Sequence, residues 1–274
     1  MFNQLEIITT EQIKKLTLLR DYIKSLKTAC IAYSGGVDSA LVAAITFEQL
    51  KGKATAITGV SPALAIHLLE EARMQAKWLG INHIEVSTNE LDNDSYSSNP
   101  KDRCFACKKE LHKQTSYISE KLNYENILDG VNYDDLRDYR PGIEASKQAG
   151  VLSPLALFKF SKEDIRDISK SLGFPWWDKP AQPCLSSRFP YGVHITYDRL
   201  KMIEKAEAYI RTIGIKEVRV RCQGTAARIE VPKEDIKKFI DNYKREELLN
   251  QFFNLGFKCV SLDLEGLISG KLNR

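Results

Sequence analysis

The sequence predicts an α/β protein: a doubly wound parallel sheet with a smaller C-terminal α+β domain. Three observations carry this. Short apolar runs alternate with helix-period segments from residue 11 to about 129, the pattern of a parallel sheet covered by helices on both faces. A loop of Ser, Gly and Asp stands between the first apolar run and the helix that follows it. Beyond residue 195 the order changes to α-β-β-α-β, and the Pro-, Gly- and Ser-rich run DKPAQPCLSSRFPYG at 178–192 marks the joint. The domains are therefore set at 1–185 and 186–274, and 274 residues give both an adequate interior.

Each element has its reason. Ile13, Leu16, Leu19, Ile23 and Leu26 recur at helical spacing over 11–27. A strand at 29–33, a helix at 37–50, a strand at 54–59, a helix at 63–79 and a strand at 82–87 follow. Next come a polar stretch at 88–103, a helix at 105–122 and a strand at 126–129. Residues 130–155 read as loop-rich. Ser161 followed by Lys-Glu-Asp resembles a capping box, opening a helix that stops at Gly173 before Pro175. The last domain reads as helix 196–213, strands 216–222 and 226–231, one helix 233–254 and strand 257–263. There is no internal repeat and no low-complexity segment.

Composition narrows the class. Hydrophobic content of 43% and charged content of 28% are those of a globular protein. No apolar run reaches membrane length, and the N-terminal MFNQLEIITTEQIKK carries acids and no signal-type apolar block, so a cytoplasmic protein is expected. A net charge of +4 is small for this length; nucleic acid is not expected as a partner, although VRVR at 218–221 is locally basic. Six cysteines are too few for a disulfide scaffold and would stay reduced in such a compartment. Cys30, Cys222 and Cys259 lie in apolar, strand-like runs and read as small core residues. Cys104, Cys107 and Cys184 are left to carry chemistry.

The loop lies within ACIAYSGGVDSALVAAITF, residues 29–47. Gly35 and Gly36 let the backbone approach a ligand closely. The N–H groups of Val37 and its neighbours, at the positive end of a helix, suit phosphate. Ser34 and Ser39 add hydroxyl donors, while Asp38 suits a Mg²⁺ held beside phosphates, or orients the loop. The Walker lysine is missing. The plainer alternative is an ordinary strand-to-helix turn capped by Asp38 or Ser34. SGGxDS directly after a first strand resembles the PP-loop of the N-type ATP pyrophosphatases. That resemblance implies cleavage of ATP to AMP and pyrophosphate, with a carboxylate or carbonyl oxygen activated as an adenylate.

Three further stretches sharpen the resemblance: LDGVNYDDLRDYRPG (128–142), KPAQPCLSSRFPYG (179–192) and VRVRCQGTAARIEVP (218–232). Together they resemble the LarE-type ATP-dependent sulfur transferases, from about residue 10 to the C-terminus. The family implies a pyridinium-3,5-dicarboxylate mononucleotide as substrate, whose carboxylates are adenylated and converted to thiocarboxylates in nickel-pincer nucleotide cofactor biosynthesis. Cys184 matches the family's sulfur-donating cysteine, which in some members surrenders its sulfur and becomes dehydroalanine. A thiolate is the nucleophile such chemistry needs, and neighbouring Arg188 is expected to favour that anion. Arg219 and Arg221 share one strand face by period two and are expected to grip the substrate phosphate; a solvated basic face is the alternative. Glu207 and Glu230 match positions that hold a divalent cation near that phosphate, the alternative being solvated surface charges. Lys238 departs from the family pattern, a relative having an acid there. The family also implies a homo-oligomer with the arginine-bearing strands near subunit contacts.

DRCFACKKELHK at 102–113 adds a C-x-x-C. A redox pair should follow the first strand of its own small fold, which this one does not. Structural zinc would take Cys104, Cys107, Cys184 and His112. An iron–sulfur cluster would take the three cysteines and leave one iron without a protein ligand. In this family and in related tRNA thiolation enzymes a three-cysteine set is associated with a [4Fe–4S] cluster whose open iron holds a transferable sulfide. The expected cofactors and ligands are thus ATP, Mg²⁺, a [4Fe–4S] cluster and a small nucleotide substrate. His67, His83 and His194 show no ligand spacing, and Trp176–Trp177 suits either stacking on a pyridinium ring or core packing. Two alternatives remain: a tRNA 2-thiolation enzyme, which calls for a basic surface and further CxxC pairs, and a non-catalytic iron–sulfur or nucleotide sensor, which would form no AMP. An ammonia-using synthetase has no need of Cys184 among Ser and Arg.

Overall fold

The computed structural model describes residues 5–137, 140–268 and 270–271, which form two compact units. The first takes the described residues up to Ser61, then Ile66–Asn93 and Asp102–Gln182; the second takes Pro62–Ala65, Asp94–Lys101 and the chain from Pro183.

In the first unit the strands β1 (Ala29–Ala32), β2 (Ala54–Val60), β3 (Asn82–Ser87) and β4 (Ile127–Leu128) form one sheet in the order β3-β2-β1-β4, parallel throughout. Every residue of β1 is buried, as expected for a strand inside a parallel sheet with both faces covered. Helix α1 (Thr10–Ser25) starts at a capping box between Thr9 and Gln12. Helix α2 (Val37–Leu50) is buried almost all round, which its alanines at 40, 43 and 44 permit by letting backbones pack closely. Leu41 and Ile45 are fully buried there, each contributing about 1.5–3 kcal/mol of apolar transfer. Helices α3 (Ile66–Leu79) and α5 (Arg103–Leu122) belong to the same unit. Helix α8 (Lys162–Ser171) begins at the expected capping box, in which Ser161 and Asp164 bond reciprocally.

Within the loop-rich stretch 130–155 stand two short helices: α6 (Pro141–Gln148) opens with Pro at its first turn, where a missing N–H is harmless, and ends near Gly150 in the left-handed region. A four-residue turn, α7 (Pro154–Leu157), follows it.

The second unit holds the four-residue α4 (Asp94–Ser97), α9 (Tyr197–Thr212) and a three-stranded sheet. In that sheet β5 (Arg219–Gln223) pairs antiparallel with β6 (Ala226–Glu230), and β6 pairs parallel with β7 (Cys259–Leu262). The expected single helix at 233–254 is two helices, α10 (Asp235–Asn242) and α11 (Arg245–Asn254), separated by extended backbone at Tyr243 and Lys244. An unbroken helix carrying Phe239 and Tyr243 inward would next bury Glu246 and Glu247. The break re-phases the apolar face so that Leu248 and Phe252 go in instead. Cys259 is not a core residue. It is exposed on β7, an edge strand of its sheet, whereas Cys30 and Cys222 are buried as expected. No helix among the described residues is long and apolar enough to cross a membrane.

Candidate functional site

The loop after β1 is held open by its own side chains. The Ser34 N–H donates to Ser39 Oγ at 3.2 Å, and Ser39 Oγ donates to the Gly36 carbonyl at 3.1 Å. Gly36 is the N-cap of α2 and offers no side chain, so the first N–H groups of the helix, at Val37, Asp38 and Ser39, lack an intrahelical partner. Gly35 has φ +67, and a Cβ there would stand 3.1 Å from the backbone of Ala72. Gly130, just past β4, passes even closer: its Cβ would lie 2.7 Å from the Ser39 nitrogen. The result is a helix N-terminus with a cradle of small residues around it, shaped for phosphate.

Neither Asp38 nor Ser34 is the cap of α2. Asp38 instead accepts from Asn132 Nδ2 at 3.3 Å on one oxygen and from Lys162 Nζ at 2.5 Å on the other. The loop carrying Asn132 is stiffened by Asp135, whose backbone N–H donates to Asn132 Oδ1 and whose carboxylate accepts the Asn132 N–H. Burial raises the Asp135 carboxyl above its usual range against the pull of Arg140, its 2.8 Å ion-pair partner. Lys179 Nζ donates to the Gly35 carbonyl at 3.0 Å and pairs with Glu71. Asn132, Lys162 and Lys179 escaped the sequence reading because each reaches the loop across a long stretch of chain. The SPLALFKFSK run at 153–162 gave no signal beyond its capping serine.

The second unit carries a cluster of paired arginines and carboxylates. Arg188 grips Glu207 with two bonds, Nε to Oε1 at 2.7 Å and Nη2 to Oε2 at 3.1 Å. Glu207 also accepts from the Val220 N–H and from Arg211. Arg221 bonds Glu230 at 2.9 Å and the Ser187 carbonyl at 2.6 Å, and Arg228 bonds the other oxygen of Glu230. Arg228 and Lys271 share Asp263. Arg188, Arg221, Arg228, Lys271, Glu265 and Gln223 help line a cavity of about 360 Å³. Arg219, on the same strand face as Arg221, is buried but has no ion-pair partner among the described residues. Burial first, then Arg188 and Arg221, pulls its guanidinium below the ordinary range. Glu230 and Glu207 pull the other way without forming a direct ion pair, so a buried guanidinium of this kind gains from an anion brought against it.

No family model matches the chain. A protein of Lactiplantibacillus plantarum, a pyridinium-3,5-bisthiocarboxylic acid mononucleotide synthase, is 34% identical over 267 residues, 97% of this chain and 96% of its own. The chain belongs to the LarE-type family. Two uncharacterized proteins are also similar. One, from Synechocystis sp., is 53% identical over 95% of this chain and 97% of its own length. The other, from Methanocaldococcus jannaschii, is 34% identical over 92% and 97%.

The LarE-type residues named from sequence fall as follows. Ser34 to Ser39 form the loop just described. Glu207 and Glu230 are fully buried and bonded to arginines, so neither is a solvated surface charge, and Arg219 and Arg221 are not a solvated face. Lys238 donates to the Gly214 carbonyl just beyond α9. Cys184 is half-buried at the start of a short 3₁₀ turn, Leu185–Arg188. Arg188 donates to the residue 184 carbonyl at 3.2 Å and to the Pro183 carbonyl at 2.8 Å, and its guanidinium is also paired with Glu207. Tyr96 fixes the same turn by bonding the buried Ser186 at 2.6 Å.

Cys104 and Cys107 sit one turn apart at the start of α5, the first exposed and the second half-buried. Thiols so spaced have the donor chemistry for iron–sulfur or zinc. Among the described residues no group of three or more His, Cys, Asp or Glu side chains is arranged to hold a metal. His112 does not join the two cysteines: it is buried, with Nε2 2.9 Å from Ser146 Oγ, and burial pushes its imidazole down to about 4. The zinc reading loses its histidine. Trp176 stacks on Phe174 and meets Trp78 edge-on, and Trp177 lies under Lys170, so both indoles have packing partners in their own unit.

Proposed function

We propose that this protein is an ATP-dependent sulfur transferase. It adenylates the carboxylates of a pyridinium-3,5-dicarboxylate mononucleotide and converts them to thiocarboxylates, on the route to a nickel-pincer nucleotide cofactor. The observation that carries this reading is the near full-length similarity to a synthase named for the bisthiocarboxylic acid product. The loop geometry and the unpaired Arg219 support it independently.

ATP binds with its phosphates on the open N–H groups of α2 and the hydroxyls of Ser34 and Ser39, with Mg²⁺ at Asp38. A substrate carboxylate attacks the α-phosphorus, pyrophosphate leaves, and an acyl-adenylate forms. The chain contributes orientation and charge stabilisation here. Arg219, backed by Arg221, takes the substrate phosphate, and the carboxylate–arginine network behind them holds both guanidinium groups in place. The Cys184 thiolate attacks the acyl carbon: a C–S bond forms and AMP leaves with the electron pair of the broken C–O bond. Removal of the Cys184 Cα proton then breaks its Cβ–S bond, freeing the thiocarboxylate and leaving dehydroalanine. A [4Fe–4S] cluster held by Cys104, Cys107 and Cys184 would, when bound, supply a transferable sulfide in place of the side chain's own sulfur. The second carboxylate requires another round, and the working form is a homo-oligomer.

The test is to incubate anaerobically purified protein with Mg²⁺, ATP and the dicarboxylate mononucleotide, following AMP, pyrophosphate and thiocarboxylate by mass spectrometry. Iron and acid-labile sulfide are measured on the same sample. AMP formation coupled to oxygen-for-sulfur exchange is expected. ATP left intact in the presence of substrate overturns the proposal.

A further inference from the structure

Residues Asp94–Lys101 belong to the second unit, with the chain from Pro183, although the residues on either side of them belong to the first. Tyr96 is 1% exposed, and its hydroxyl meets Ser186 Oγ at 2.6 Å across 90 residues of sequence. Asn99 is fully buried, and its Nδ2 donates to the Pro190 carbonyl at 2.7 Å and to the Phe189 carbonyl at 3.5 Å. Along the backbone, the Gly192 N–H donates to the Asn99 carbonyl at 2.9 Å and the Ile195 N–H to the Ser97 carbonyl at 2.7 Å. Two features of Asn99 work against stability. Its φ is +57, in the left-handed region, and its Oδ1 is buried without a hydrogen-bond partner among the described residues. Residues kept in such a state mark places where the geometry they impose is used.

What they impose is the path of the chain around Cys184. The Cys184 thiol has no hydrogen-bond partner among the described residues, so the backbone of its turn sets where the sulfur stands. The Leu185 N–H anchors that turn on the Ala63 carbonyl at 2.9 Å. Tyr96 holds it at Ser186, and Asn99 holds it just beyond its end, at Phe189 and Pro190. We propose that Tyr96 and Asn99 are positioning residues for sulfur delivery, fixing the turn so that the Cys184 sulfur meets the activated acyl carbon. Both are too buried to touch a ligand, so they act through the turn. A reacting atom misplaced by about 1 Å can cost about 10²-fold in rate. The inference rests on the reading of Cys184 as the sulfur nucleophile and adds two residues to it.

Two small changes isolate the effect. Tyr96→Phe removes one oxygen, and Asn99→Gly removes the amide while keeping a backbone that accepts φ +57. In each variant thiocarboxylate formed per AMP should fall about tenfold, while the rate of AMP formation stays within about twofold. Iodoacetamide labelling of the full, metal-free chain, read cysteine by cysteine by mass spectrometry, is the second readout. Cys184 should label about threefold faster as its turn loosens. Exposed Cys259 should be unchanged, and buried Cys30 and Cys222 should stay protected. Unchanged thiocarboxylate per AMP or unchanged Cys184 labelling overturns the proposal. So does labelling of Cys222 in step with Cys184, which marks a general loosening of the unit. Thiocarboxylate formed by Cys184→Ala protein overturns the nucleophile reading itself, and is seen before Tyr96 or Asn99 is touched.

Discussion

The loop at 34–39 offers an anion backbone N–H groups and two hydroxyls, with a single side-chain charge, whereas the pocket around Arg221 is made of charges already paired. Around that pocket Glu207, Glu230 and Asp263 are each held by two cations. The loop's specificity is one of shape, sensitive to one added carbon. The arginine site's is one of charge balance, in which the carboxylates set how much positive charge remains for a ligand. On the proposed function a phosphate binds at each for a different reason, and each should fail in its own way when altered.

The largest effect is expected at Asp38. Asp38→Ala should lower AMP formation by about 10²-fold or more with the fold intact, checked by quenched-flow assay and thermal unfolding. Next comes Glu207→Ala, which strands Arg188 and Arg211 in a buried setting and should cost about 3–5 kcal/mol in urea unfolding. Together these two changes break the comparison cleanly, one removing chemistry and the other stability.

Acid pH gives a third, smaller handle, confined to the first unit. Burial lowers the His112 imidazole from 6.5 to about 4, so the folded chain keeps it neutral where the unfolded chain takes up a proton. Stability therefore rises with pH between about 4 and 6.5. The contribution is complete above that window and is lost as pH falls through it, on the order of 3 kcal/mol. Urea midpoints at pH 7 and pH 4.5 should converge in His112→Gln relative to the unsubstituted protein. The smallest effect is expected for Gly130→Ala, whose new Cβ must push the Ser39 backbone. ATP affinity should drop about tenfold with a stability loss of about 1–3 kcal/mol, read by calorimetry.

Much of the first unit was legible because its signals are local. The apolar runs of the four strands, the SGGVDS turn and the Ser161 box each lie within a few residues. What was missed is long-range or hidden by composition. Lys162 and Asn132 reach Asp38 across 124 and 94 residues, and no short-range pattern announces such pairs. Helix α6 was obscured by Gly142 and Gly150, although Pro141 is a fair start signal. The break at 243–244 was readable in principle, since Glu246 and Glu247 fall where a continuous helix needs apolar residues. Cys259 misled because its apolar run lies on an edge strand, where strand propensity and burial part company. At the arginine site the period-two spacing put Arg219 and Arg221 on one face. It did not reveal that Glu230 and Glu207 would be buried with them.

On the proposed function, carboxylate activation at the loop and sulfur delivery at Cys184 are separate acts of one chain. The most direct test is to give Cys184→Ala protein substrate and Mg²⁺-ATP, and to measure AMP and thiocarboxylate together. AMP released with no thiocarboxylate formed is the predicted result; thiocarboxylate formed without that cysteine would contradict it.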